Sequence, residues 1–312
     1  MILRSACRRN RRSLERSVNR STLIISALAT AIIGCAAAVY YVGARLSAPA
    51  LHPVGPPPAD LGAVEVEFEG VRGWFVPAAE GSACVILMHG VRSDRRSMIG
   101  RARFLKEAGY SSLLFDFQAH GESPGKGITF GHLESANARA AVAAARSRFQ
   151  CNRVAAIGQS LGGAAALLGA EPLQVDALIL ESVYPTLAEA VADRLRIRFG
   201  EAGPLLAPLL TFQLKPRLGI EIQALRPIDH IAGFAGPVFV LSGVEDQHTR
   251  IDEARRLFSA AREPKVFWAV QGAAHVDLYQ FSSELYRRRM LEFLDKYIGA
   301  RDKSPDPGLS SS

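Results

Sequence analysis

A serine with glycine two residues away on either side can be held on a turn so tight that its hydroxyl stands clear of the chain. This sequence carries that spacing twice, in Gly121-Glu122-Ser123-Pro124-Gly125 and in Gly158-Gln159-Ser160-Leu161-Gly162. The chemistry would be nucleophilic acyl transfer, which needs a strand running into the turn, a helix leaving it, and the main-chain N–H of the following residue aimed at the developing oxyanion. Arg153 to Ile157 reads as a buried strand and Ala164 to Leu168 as helix-forming, so Ser160 meets those conditions, with Leu161 N–H as the donor. Ser123 is followed by Pro124, which has no N–H, and is read as a loop residue. A phosphate-cradling loop is a poorer reading of the same glycines, because no Lys followed by Ser or Thr accompanies them.

A serine hydroxyl needs an imidazole as base, and the imidazole needs a carboxylate to orient it. His275, in the short loop Gln271-Gly272-Ala273-Ala274-His275 after the last expected strand, is the best placed of the seven histidines. The loop after the preceding strand, Gly243-Val244-Glu245-Asp246, supplies the acid, with Asp246 expected and Glu245 or Glu181 as alternatives. The chain order Ser160, Asp246, His275 is the order this architecture uses. His89 and His120 read as turn residues, His132 and His230 as surface or cap-base positions, and His248 stands too near Asp246 in sequence to reach both acid and serine.

These residues have to be positioned by a sheet. Val64 to Phe68 alternates as a half-buried strand, with Val71 to Val76 as its hairpin partner. Short apolar runs then follow at 85–88, 113–115, 154–157, 177–180, 238–241 and 266–270, the pattern of strands buried on both faces. Helix-like stretches near 97–108, 132–149, 161–170, 250–262 and 277–299 separate them. The alternation predicts an α/β fold, a mostly parallel sheet with helices on both faces. The long connection at about 185–230, with amphipathic stretches at 187–199 and 205–214, reads as a small helical cap over the carboxyl ends of the strands.

With these motifs in place, residues 61–299 resemble the α/β-hydrolase superfamily, near its serine aminopeptidase-like and acyl-hydrolase branches that carry an N-terminal membrane segment. The resemblance rests on Leu87-Met88-His89-Gly90, on Phe115 to Ser123, on the Ser160 elbow, on Gly243 to Asp246 and on Gly272 to His275. It implies an oxyanion hole formed by the N–H groups of Val91 and Leu161, and a structural turn at Ser123. Gln118 stands where relatives commonly have arginine, with no expected loss of catalysis. The activity implied is cleavage of carboxylic esters or thioesters, on a small-molecule or lipid acyl ester, with no cofactor. A serine peptidase of the same fold is the alternative, and a non-catalytic scaffold a further one. Arg92, Arg95 and Arg96, just past the oxyanion turn, could receive an anionic group or could form a solvated face.

The net charge of +7 carries no message about substrate. Seven arginines against Glu15 place nearly all of it in residues 1–22, and no basic patch interleaved with aromatics follows, so nucleic acid is not an expected partner. Leu23 to Val42 is then an uncharged run of bilayer-spanning length. Arginines before it predict residues 1–22 in the cytoplasm, 23–42 as a transmembrane anchor and the catalytic domain outside. A lipoprotein anchored at Cys35, in Ile32-Ile33-Gly34-Cys35, is the alternative. Residues 43–60 are proline-rich and read as a stiff linker, and 300–312 as a disordered tail. Cys84 and Cys151 are expected to be free core thiols, and no short ligand spacing suggests a metal.

Overall fold

The computed structural model describes residues 3–78 and 83–299, so the tail from 300 lies outside the described residues. Two compact units divide between Leu46 and Ser47. The first is one helix, Leu3–Ser47, within which Thr22–Ser47 is long and apolar enough to cross a membrane.

The second unit is built on eight strands: β1 (Val64–Phe68), β2 (Val71–Val76), β3 (Cys84–Met88), β4 (Ser111–Phe115), β5 (Val154–Gln159), β6 (Ala177–Glu181), β7 (Val238–Gly243) and β8 (Lys265–Val270). Their order is β8-β7-β6-β5-β3-β4-β2-β1. The β1–β2 and β2–β4 pairs are antiparallel, and every other pair is parallel. Side chains alternate strictly between two apolar layers, as the two-residue strand period requires. Ile86, Ala156, Leu180 and Val240 enter one layer, and Leu87, Ile157, Ile179 and Leu241 the other. The helices Glu134–Ser147, Leu161–Leu167 and Ile251–Ala260 cover the first layer, and Ile99–Glu107 and Ser283–Tyr297 the second. A strand covered on both faces has no polar side to show, which is why the apolar runs in the sequence are continuous.

Three expectations need correction. Cys84 and Cys151 are joined in a disulfide rather than free, with Cα atoms 5.7 Å apart. Cys84 opens β3, its N–H donates to Arg153 C=O, and its register partner on β5 is Val154, so parallel pairing brings Cys151, three residues ahead of Val154, alongside it. A separation of 67 residues hides that proximity from a reading of the chain. The proline-rich stretch is not a free spacer in its first half. Ser47 C=O accepts from Ile128 N–H, Ala50 N–H and His52 N–H donate to Ala119 and Gly121, and Val54 is buried with its N–H on Glu122 Oε1. The segment 205–214 is not one helix either: a 3-10 stretch over Gly200–Leu206 is followed by Ala207–Thr211 and Leu214–Leu218, with Pro204, Pro208 and Pro216 fixing the breaks.

Candidate active site

β5 ends at Gln159 and the helix Leu161–Leu167 begins two residues later, so the whole reversal falls on Ser160. Its backbone has φ 49° and ψ −110°, a conformation costly for any residue but glycine. The turn closes only because its neighbours lack side chains. A Cβ on Gly158 would stand 2.5 Å from Gly163 N, and one on Gly162 would collide with the Met88 carbonyl oxygen of the adjacent strand. Ser160 N–H donates to Glu181 C=O at 2.8 Å, which ties the elbow to the end of β6.

Asp246 and His275 come from the loops after β7 and β8, which are parallel neighbours and end side by side. Val244 N–H donates to Val270 C=O and Glu245 N–H to Ala273 C=O, binding the two loops to each other. His275 Nδ1 and Asp246 Oδ2 are 2.7 Å apart, and the other carboxylate oxygen accepts the N–H groups of His248 and Thr249 at 2.8 and 2.9 Å. Burial alone would raise the Asp246 carboxyl, but the bond from His275 and these two N–H donors hold it below the usual carboxylate range. An ionised Asp246 keeps the proton of a neutral His275 on Nδ1 and leaves Nε2 with its lone pair. Ser160 Oγ has no hydrogen-bond partner among the described residues, and bonds of that kind commonly tighten only with substrate present.

Val91 and Leu161 are the residues expected to supply the oxyanion hole. Leu161 is the first residue of its helix, where N–H groups lack helical acceptors, and among the described residues neither its N–H nor that of Val91 is paired. Gly90, beside Val91, lies so close that a Cβ on it would be 3.9 Å from Ser160 Cβ. His89 shapes this turn from below. Phe117 N–H donates to its Nε2 at 3.1 Å, so Nδ1 carries the proton and donates to Gly90 C=O at 2.7 Å. Complete burial, with His120 nearby, pushes its pKa down to about 3, and it stays neutral.

The other candidates fall away from the serine. Ser123 is fully buried, with its Oγ donating to Asp116 C=O at 2.7 Å and accepting from Arg72 N–H at 2.9 Å. Glu181 is locked against Arg101 and Tyr286, and Glu245 points to solvent. Arg95 is not available to a ligand: it is buried, stacked 4.6 Å from Trp74 and paired with Asp116 and Glu122. Arg96 pairs with Asp94 at 2.8 Å. Two groups join the site that the motifs did not point to. His248 lies with its ring 5.1 Å from that of His275. Arg194, half-buried on the cap helix Leu187–Phe199, donates to Ala190 C=O at 2.8 Å, and after burial its charge is what most depresses the His248 pKa. Nothing local in the sequence announces Arg194, since only the folding-over of the cap brings it here. Among the described residues no cluster of His, Cys, Asp and Glu suits a metal ion.

The chain is similar to known proteins of one superfamily. Residues 79–218 match the family model described as serine aminopeptidase, S33. An uncharacterized protein of Mycobacterium tuberculosis is 30% identical over 224 residues, covering 70% of this chain and 74% of that protein. An α/β-hydrolase domain-containing protein of Arabidopsis thaliana is 25% identical over 248 residues, 75% of this chain and 78% of its own length. Among solved structures, an esterase of Pyrococcus furiosus superimposes with a TM-score of 0.65 at 25% identity, covering 80% of this chain and 100% of the esterase.

Proposed function

Because the chain belongs to the α/β-hydrolase superfamily, we propose that it is a membrane-anchored serine hydrolase that cleaves carboxylic esters or thioesters through Ser160, His275 and Asp246. The observation that carries this reading is the strained elbow at Ser160, held at the ends of the same parallel strands whose loops carry the bonded Asp246–His275 pair. His275 Nε2 takes the Ser160 Oγ proton as the oxygen attacks the acyl carbonyl, and the N–H groups of Val91 and Leu161 receive the oxyanion. Collapse breaks the bond to the leaving alcohol or thiol, which takes the proton from His275. A water molecule, deprotonated in turn by His275, attacks the acyl-enzyme, and the acid product leaves as Ser160 regains its proton. Asp246 stabilises the imidazolium formed in both halves.

The match to an aminopeptidase family model favours a peptidase as the second reading. A series of p-nitrophenyl esters of rising chain length, run beside aminoacyl-p-nitroanilides, separates the two. Turnover of esters with kcat/KM rising toward longer chains is expected, and turnover confined to the anilides would overturn the ester reading. The apolar helix Thr22–Ser47 supports anchoring. The Cys84–Cys151 disulfide supports a catalytic domain on the oxidising side of that membrane, since such bonds persist outside the reducing cytosol.

A further inference from the structure

Arg194 differs from the arginines around it in having no counter-charge. Arg196 pairs with Asp193, Arg226 with Asp229, Arg250 with Asp252 and Arg256 with Glu189. Arg194 is half-buried on the cap helix Leu187–Phe199, yet among the described residues no carboxylate pairs with it. Its Nη1 donates to Ala190 C=O, one turn back along the helix, at 2.8 Å, which uses little of a guanidinium's five-donor capacity. A cation drawn partly out of water without a partner carries a desolvation cost that surface charges escape. The arginines after the oxyanion turn are placed otherwise: Arg92 reaches Ala48 C=O at 3.3 Å, and Arg95 and Arg96 have the acidic partners described above.

The carboxylates whose charge reaches Arg194 are bonded to other groups. They are Asp246, Asp193 and Glu253. Asp246 holds His275 Nδ1 and the N–H groups of His248 and Thr249, Asp193 holds Arg196, and Glu253 accepts the Arg250 N–H at 3.1 Å. A second unused group stands against the triad. The His248 ring lies 5.1 Å from that of His275, and its Nδ1 is buried with no hydrogen-bond partner among the described residues. Burial, and after it the charge of Arg194, holds His248 below the usual imidazole range, so its ring is neutral near pH 7. The imidazole of the triad therefore has beside it an unsatisfied ring nitrogen and, within electrostatic reach, a guanidinium without a counter-ion.

We propose that Arg194, with His248 beside it, determines specificity for an anionic substrate: the ester or thioester cleaved at Ser160 carries a carboxylate, and the Arg194 guanidinium binds it. This rests on the serine-hydrolase reading given above. A guanidinium meets a carboxylate through two parallel N–H bonds, so it fixes the direction of the substrate as well as its charge. The charge balance favours a carboxylate over a phosphate dianion. One cation beside a neutral imidazole matches one negative charge, and a second would stand uncompensated near the ionised Asp246. Arg194 takes no part in bond making, so its contribution is to binding and falls chiefly on KM.

The test uses the full-length protein in nonionic detergent and two matched pairs of esters. Mono-p-nitrophenyl glutarate against p-nitrophenyl pentanoate puts the carboxylate on the acyl side, and 3-carboxyphenyl pentanoate against phenyl pentanoate puts it on the leaving group. The ratio of kcat/KM, charged over neutral, is expected to fall about tenfold or more in Arg194→Gln for at least one pair, and to recover in part in Arg194→Lys. Arg198→Gln removes the same charge from an exposed place on the same helix and should keep the wild-type ratio. A ratio unmoved in both pairs while the neutral esters are still turned over, or one that falls equally in Arg198→Gln, would overturn the inference and leave the serine-hydrolase reading standing. A wild type that turns over no ester would overturn both. If Arg194→Gln does not fold, the wild type still decides: glutarate is expected to slow fluorophosphonate labelling of Ser160 at lower concentration than the neutral glutaramide, and equal effects would overturn the inference.

Discussion

Two stretches of this chain share the pattern Gly-x-Ser-x-Gly, and the fold treats them in opposite ways. At Ser160 the glycines let two main-chain segments pass within contact of the turn, the serine takes a left-handed conformation, and among the described residues its hydroxyl has no hydrogen-bond partner. At Ser123 the hydroxyl is saturated, donating to Asp116 and accepting from Arg72, and Gly121 exists because a side chain there would strike the Asp116 carboxylate. One serine is strained and unspent; the other is a buried strut between β2 and the loop after β4. The pattern alone therefore marks a tight turn, and reactivity comes from the strand before it, the helix after it and the loops that end beside it.

The largest expected effect falls on the strained serine. Ser160→Ala should lower kcat/KM by on the order of 10⁴-fold or more and abolish fluorophosphonate labelling, with the thermal midpoint little changed. Asp246→Asn should follow closely, at about 10⁴-fold in kcat, because the amide no longer holds the His275 proton on Nδ1. Steady-state rates beside circular dichroism check that both variants fold; wild-type rates in either would break the contrast between the serines.

Stability tests sharpen the same contrast from the other side. Replacing Cys84 and Cys151 by serine removes a link across a 67-residue separation and should cost about 2–4 kcal/mol in denaturant unfolding, leaving labelling at Ser160 intact. Ser123→Ala should cost about 1–3 kcal/mol, because Arg72 N–H loses its acceptor in a partly buried place and Asp116 C=O its buried donor, while labelling stays at the wild-type level. The smallest effect concerns Glu253, on the helix Ile251–Ala260. Burial and the nearby Asp193 push Glu253 up to about 8, against an ordinary value of 4.5. A carboxyl raised on folding contributes stability that is complete below 4.5 and is lost as pH rises through about 8. Thermal midpoints between pH 5 and 9 should therefore fall in the parent and flatten in Glu253→Gln.

What could be read from the chain was whatever a local pattern encodes. Continuous apolar runs announce strands covered on both faces, and their order predicts Ser160, Asp246 and His275 at the ends of parallel strands. Pro124 alone separated the two serines, through its missing N–H. What stayed hidden was set by contacts distant in sequence. The Cys84–Cys151 bond follows from β3 lying beside β5, a crossover that the order of elements does not state. Arg95 looked like a solvated or ligand-binding charge and is instead the buried partner of Asp116, Glu122 and Trp74. Prolines at 49, 53 and 56–58 suggested a spacer, but the backbone groups between them found acceptors and donors on the domain surface.

The most direct test of the account is to treat the full-length protein with a fluorophosphonate and locate the adduct by tandem mass spectrometry. A single adduct is expected on the Ser160 hydroxyl, absent from Ser160→Ala and unchanged in Ser123→Ala. An adduct on Ser123, or none on a chain shown to be folded, would contradict it.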